Sequence, residues 1–195
     1  MKRYTLLIMF SILLVGCNTD KHITENFSIK TPTYIIIKNE QQIQQQQKLH
    51  EELSRLSRAG AEENTDQITE LMGQLQEIEN DGLLITDTQI IMEFVDEISN
   101  KSFSSYKKNT SSVSFIISFF YDEVEKDASP ANEKAYLERI QHGYIDSLVV
   151  LSDRSVLIPY ISSTGTSLAD LRTLKISLSK SLYVKLKSIT KETVK

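Results

Sequence analysis

The chain has 195 residues, with 22 lysines and arginines against 26 acids, a formal charge of −4, one cysteine, no tryptophan and six glycines. That balance argues against a nucleic-acid binder, which needs a clustered basic surface to neutralise phosphates. A single cysteine excludes an intramolecular disulfide framework, and so few glycines without tryptophan speak against a β-propeller or a small loop-rich scaffold, leaving a fold that rests on packing.

Lys2 and Arg3 open a basic head, and Thr5 to Val15 form an apolar stretch that ends at Leu14-Val15-Gly16-Cys17. A stretch this short reads as an export signal rather than a membrane span, since crossing a bilayer takes roughly 20 apolar residues. These residues resemble the lipobox of bacterial lipoprotein precursors, in which a small residue precedes the acylated cysteine, and Gly16 and Cys17 stand in those places. The resemblance covers the leader alone. It implies cleavage after Gly16, a thioether-linked diacylglycerol on Cys17 and an amide-linked third chain. Two or more acyl chains anchor stably, at about 0.8 kcal/mol per buried methylene. In Gram-negative lipoproteins an aspartate after the cysteine favours inner-membrane retention, so Asn18 leans the expectation towards the outer membrane. A plain secretory signal would instead leave an odd thiol in an oxidising compartment. Removing residues 1–16 takes away Lys2 and Arg3 and no acid, which leaves 20 basic against 26 acidic side chains, a net −6.

Asn18 to Thr31 is polar with isolated Ile23, Phe27 and Ile29, and Pro32 follows. It reads as a tether whose extended reach is at most about 45 to 50 Å. Thr33 to Lys38, a β-branched apolar run between Pro32 and Asn39, predicts a buried strand. Composition then changes to a glutamine-rich stretch from Glu40 to Leu56, in which Leu49, Leu53 and Leu56 recur at helical spacing. A second stripe, Ile68, Leu71, Leu75 and Ile78, follows a polar break, with Asn64 and Gln67 as a capping pair and Asp81-Gly82 as the stop. Narrow stripes of this kind predict an antiparallel helical hairpin, with one continuous helix through Ala59, Gly60 and Ala61 as the alternative. The glutamines read as a solvated helix face.

From Leu83 onward the texture is that of an α+β domain. Leu83 to Thr86 predicts a brief strand, and Asp87 or Thr88 caps a helix carrying Ile91, Phe94, Val95 and Ile98 on one face. Val113 to Tyr121 is the strongest strand signal, apolar enough to be central in a sheet covered on both faces. Ser129-Pro130 predicts the start of a helix lined by Tyr136, Leu137, Ile140, Tyr144 and Ile145. Ser147 to Leu151 and Val156 to Ile161 read as a β-hairpin. Ser167 with Asp170 resembles a capping pair, and the leucines from Leu168 to Ile189 fit helical spacing, while Ile176 to Leu186 also alternates. The reading favours helix first and allows strand later. The organisation expected is thus a leader over 1–16, an acylated tether over 17–32, a strand plus helical hairpin over 33–82, and an α+β domain over 83–195 with a small mixed sheet and packed helices.

Catalytic patterns are missing from the sequence. His22, His50 and His142 lack metal-ligand spacing, no Gly-x-Ser-x-Gly elbow occurs, and Ser163 to Ser167 lacks the frame and lysine of a phosphate loop. Asp122, Glu123, Glu125 and Asp127 lack the glycine turn of a calcium loop and read as a solvated acidic loop. Asp153-Arg154 reads as a turn. Lys175 to Lys195 is basic, with six lysines against Glu192, and reads as a solvated face. Asn26-Phe27-Ser28 and Asn109-Thr110-Ser111 match the glycosylation acceptor pattern by chance.

No catalytic residue, cofactor or metal is expected, and neither a nucleic acid nor a small-molecule substrate. The expected partners are a membrane, through acyl chains on Cys17, and a protein. Candidate partner-binding residues are Leu49, Leu53, Leu56, Ile68, Leu71 and Leu75, because a narrow stripe leaves surface for association. The expectation is a non-enzymatic envelope lipoprotein, an accessory subunit or pilot of a secretion, pilus or conjugation assembly. The alternative is a surface-exposed binding or exclusion lipoprotein facing host molecules, phage or mating cells.

Overall fold

The computed structural model describes residues 28–60, 64–99, 103–106, 111–122, 132–162 and 164–192. Cys17 and Asn18, and the sequence expectations for the leader, most of the tether and Ser129-Pro130, fall outside them. The described elements run β1 (Tyr34–Asn39), α1 (Glu40–Gly60), α2 (Thr65–Asn80), β2 (Leu83–Ile85), α3 (Thr88–Ser99), β3 (Ser104–Ser105), β4 (Val113–Phe120), α4 (Glu133–Gln141), β5 (Ser147–Leu151), β6 (Ser155–Tyr160), a 3-10 turn (Leu168–Asp170), β7 (Arg172–Ser177) and α5 (Lys180–Glu192).

The class is α+β. Seven strands form one sheet in the order β2-β1-β4-β5-β6-β7-β3. Every pairing is antiparallel, so the expected mixed sheet is corrected. The cause lies in the connections. Strands β5 and β6 are joined by a short turn. The longer link from β6 to β7 through the 3-10 turn and the excursion through α1 and α2 each return to the end of the strand from which they left, whereas a parallel neighbour needs a crossover to the opposite end. Because β1 is hydrogen-bonded to both β2 and β4, the sheet runs without interruption across residues 82 and 83.

Alternation divides the sheet into two unlike faces. Ile35 and Ile37 of β1, Phe115, Ile117 and Phe119 of β4, Leu148 and Val150 of β5, Val156 and Ile158 of β6 and Leu174 and Ile176 of β7 point to one side. There they meet Ile91, Phe94, Val95 and Ile98 of α3 and Leu182, Tyr183 and Leu186 of α5, forming the main core. The other side holds a smaller cluster, Ile116, Val149, Leu151 and Leu157, joined by Ile43 of α1. β4 is therefore buried on both faces over Phe115, Ile116 and Ile117, the centre of its apolar run.

The reading of residues 168–189 is corrected in order: strand comes first and helix second. Helical spacing of leucines loses over Arg172–Ser177 because six residues there zip onto β6, from Ser155↔Ser177 to Tyr160↔Arg172, and bury Leu174 and Ile176. The helix then starts where Ser179 is held by Glu97 of α3, which accepts from both its backbone N–H and its hydroxyl.

One cap differs from expectation. Asn64 does not cap α2 through its side-chain oxygen; its amide donates to Gly60 O at 2.8 Å and ties the two helices at their junction. The described part of α4 begins at Glu133, where Asn132 Oδ1 accepts from Ala135 N at 3.3 Å. The chain enters the fold over Gly143, whose φ of 81° and closeness to Ser28 O, 2.2 Å from an added Cβ, leave no room for a side chain. Lys30 N donates to Gly143 O at 3.0 Å and Ile29 N to Ser99 Oγ at 3.2 Å, pinning the segment just before β1.

Candidate interaction surface

Helix α1 starts sharply because Asn39 and Gln42 cap it reciprocally. Gln42 N donates to Asn39 Oδ1 at 3.1 Å and Asn39 N to Gln42 Oε1 at 3.0 Å, which satisfies two donors at the helix start. Ile43, Gln46 and His50, spaced three and four apart, then share one face of the helix. Ile43 packs into the smaller cluster. Gln46, only 1% exposed, accepts from the buried Lys38 ammonium at 3.5 Å. Gln46 Nε2 and His50 Nε2 are buried with no hydrogen-bond partner among the described residues. The seat of α1 on the sheet is thus part oil and part polar, unlike the opposite face.

Helix α2 packs against α1 rather than against the sheet. The two helices carry all six candidate stripe residues: Leu56, Leu71 and Leu75 are buried, and Leu49, Leu53 and Ile68 are half-buried. Most of that apolar surface is consumed within the chain, so the outward faces of the helical pair are polar. Arg55, Ser57 and Thr69 lie there, exposed. Sequence reasoning missed the buried pair Lys38 and Gln46 and the half-buried His50 beside them. The available signal was the spacing of Ile43, Gln46 and His50, which marks Gln46 as inward-facing within the glutamine cluster.

An open cleft of about 380 Å³ sits at the base of this arm, where the end of β1 and the start of α1 meet β4 and α5. Asn39, Glu40, Gln44, Ser114, Lys187 and Thr190 supply its polar groups and Phe115 an apolar wall. A register irregularity between Val113 and Phe115 leaves Ser114 out of the ladder, and its hydroxyl meets Tyr183 OH at 2.9 Å. Beside its amides and hydroxyls the cleft thus carries one carboxylate, Glu40, and one ammonium, Lys187.

A second polar centre pins α4 to β5. Arg139 Nη2 donates to Asp146 Oδ1 at 2.7 Å, and Tyr121 OH bonds the backbone of Ile145, donating to its carbonyl at 3.2 Å. Tyr144 meets the Tyr121 ring edge-on at 5.1 Å. Burial pushes the Asp146 carboxyl up, and the Arg139 guanidinium offsets part of that rise. Burial also raises both phenols, Tyr136 to about 12 and Tyr121 further, so both are neutral donors at physiological pH.

The remaining sequence candidates have structural partners. Asp153 accepts from Ser155 N at 3.0 Å and pairs with Lys175 at 3.4 Å, while Arg154 occupies the turn at φ 69°. Asp170 Oδ2 accepts from Thr166 N, Ser167 N and Ser167 Oγ, bonds that hold its carboxyl below the usual range. His142 Nδ1 lies 2.6 Å from Glu138 O. Of the basic C-terminal stretch, Lys175 pairs with Asp153, Lys185 with Glu93, and Lys187 lies 6.0 Å from the centre of the Tyr183 ring. Among the described residues there is no group of three histidines, cysteines or acids placed to hold a metal, and no helix long and apolar enough to cross a membrane.

Comparison of the chain with protein-family models, with curated proteins and with solved structures finds no match.

Proposed function

We propose that this is an acylated envelope lipoprotein that works by holding a protein partner, as an accessory subunit or pilot of a secretion, pilus or conjugation assembly. The leader ending in Leu14-Val15-Gly16-Cys17 supports the anchor. The observation that carries the partner role is the placement of the arm. The chain enters at Tyr34, and both α1 and the return from α2 meet the sheet at the far end of β1, beside Ile37 and Lys38. From Tyr34 to the last strand residue, Asn39, the separation is about 17 Å. A body tethered at one end and carrying a helical pair at the other suits a spacer that presents an arm away from its anchor.

The buried leucines hold the arm together, so partner contact falls to its polar outward faces and half-buried edges. Photo-cross-linkers at Arg55, Ser57 and Thr69, introduced in cells making the full chain, are expected to capture one discrete protein at two or more of these sites. Capture of none overturns the partner role. Shaving of intact cells with protease then decides between a periplasm-facing subunit, which survives, and a surface binder, which is cut.

A further inference from the structure

Over β5 and β6 both faces of the sheet are buried throughout, whereas along β1 and β2 the face that seats α1 is covered at one end only. At the Lys38 and Ile116 end, Ile43 and Gln46 close it. At the opposite end of β1 the same face presents Tyr34, Ile36, Phe120 and, on edge strand β2, Leu84. Tyr34 and Phe120 are register partners whose rings stack at 4.6 Å and 7°. Both rings and Ile36 are only half-buried, and Leu84 is 55% exposed. Four adjacent apolar groups on one open sheet face are more than scattered surface hydrophobes.

We propose that this patch lies against the headgroup region of the bilayer that carries the acyl chains. The inference rests on acylation of Cys17. Its occupant follows from where the tether delivers the chain. Between Cys17 and Ser28 the link spans at most about 40 Å when extended, and the segment it leads into is pinned at Ile29 and Lys30 and becomes β1 at Tyr34, within the patch itself. Tyrosine and phenylalanine rings suit an interface in which the ring is half-desolvated and a hydroxyl stays wet. Exposed Lys30 stands next to the lipid phosphates in this pose. The arm on the far end of β1 then points into the aqueous side.

The chain lacks tryptophan, so Phe120→Trp and Leu84→Trp each create a single reporter, with Val184→Trp, 53% exposed on the outward side of α5, as the reference. Acylated full-length protein is reconstituted in phosphatidylcholine vesicles, with and without acyl chains brominated near the headgroup. Flotation is measured on the same samples. Expected are flotation, a blue-shifted emission at 120 and 84, and quenching by brominated lipid of about twofold there against almost none at 184. Flotation with equal quenching at all three sites overturns this inference and leaves the anchor standing. Failure to float overturns both. A blue shift that grows with protein concentration and ignores bromine assigns the patch to a second copy and overturns the lipid contact. Thermal melts of the three variants establish that each is folded, and Leu84→Trp, at an exposed site, serves if Phe120→Trp is not.

Discussion

The two faces of the sheet are built on different principles. Towards α3 and α5 the interface is apolar throughout, with Ile35, Phe94, Ile117, Leu148 and Ile158 fully buried. Towards α1 a handful of apolar groups surrounds Lys38 and Gln46, and two buried nitrogens, Gln46 Nε2 and His50 Nε2, find no described partner. Burying an unpaired polar group costs about 1–3 kcal/mol, so the second face returns less stability for the area it covers. The lesson is one of division of labour. The first face makes the domain, and the second seats the helical arm on a smaller apolar cluster with a polar centre.

The comparison breaks most visibly at Phe94. Phe94→Ala leaves a cavity in the dry face and is expected to cost about 3–5 kcal/mol, read as a lower denaturant midpoint by every probe at once. Ile43→Ala on the arm side is expected to cost about 2 kcal/mol. Hydrogen exchange should show that loss in Glu40–Asn80 first, while the amides of β4 to β6 remain protected. Equal loss of protection in both regions would mean that the faces are one cooperative unit. A finer probe is the polar pair. Gln46→Leu removes one acceptor of a buried ammonium and is expected to destabilise by about 1–2 kcal/mol, whereas Lys38→Met with Gln46→Leu is expected to recover that loss or exceed it. If the double variant is worse than the single one, the pair stabilises the seat.

The smallest effect expected is alkaline. In the folded chain the Tyr136 phenol is raised to about 12 from an ordinary 10, so its contribution to stability is complete below pH 10 and is lost as pH rises towards 12. Tyr136→Phe is expected to flatten the fall of stability in that window by at most about 1.4 kcal/mol per pH unit, leaving the neutral-pH midpoint nearly unchanged. A slope unchanged by the substitution would assign alkaline sensitivity to Tyr121, whose phenol burial raises further.

Local pattern carried much of the fold. The run from Val113 to Phe120, the hairpin of β5 and β6, the α3 stripe of Ile91, Phe94, Val95 and Ile98, and the two helices after Asn39 were all legible, because each pattern is repeated over enough residues to name its period. Where two periods fitted the same residues, sequence misjudged. Leu174 and Ile176 serve a helix or a strand equally well until β6 supplies an edge to pair with. Within the candidate surface, the leucine stripe was visible and its burial was not: Leu56, Leu71 and Leu75 show a narrow apolar seam whether it meets another chain or its own neighbour.

By itself the sequence determined the apolar stretch that ends at the lone Cys17, the change of texture at Glu40 and Leu83, and the positions of most helices and strands, since these are properties of neighbours along the chain. Tertiary structure decided that all strands run antiparallel, that Lys38 and Gln46 share a buried seat, and that Tyr34, Ile36, Leu84 and Phe120 form one uncovered patch. Those facts depend on which strands become neighbours, and pairing between residues as far apart as Tyr34 and Phe120 is set by the burial of the whole sheet rather than by any local preference.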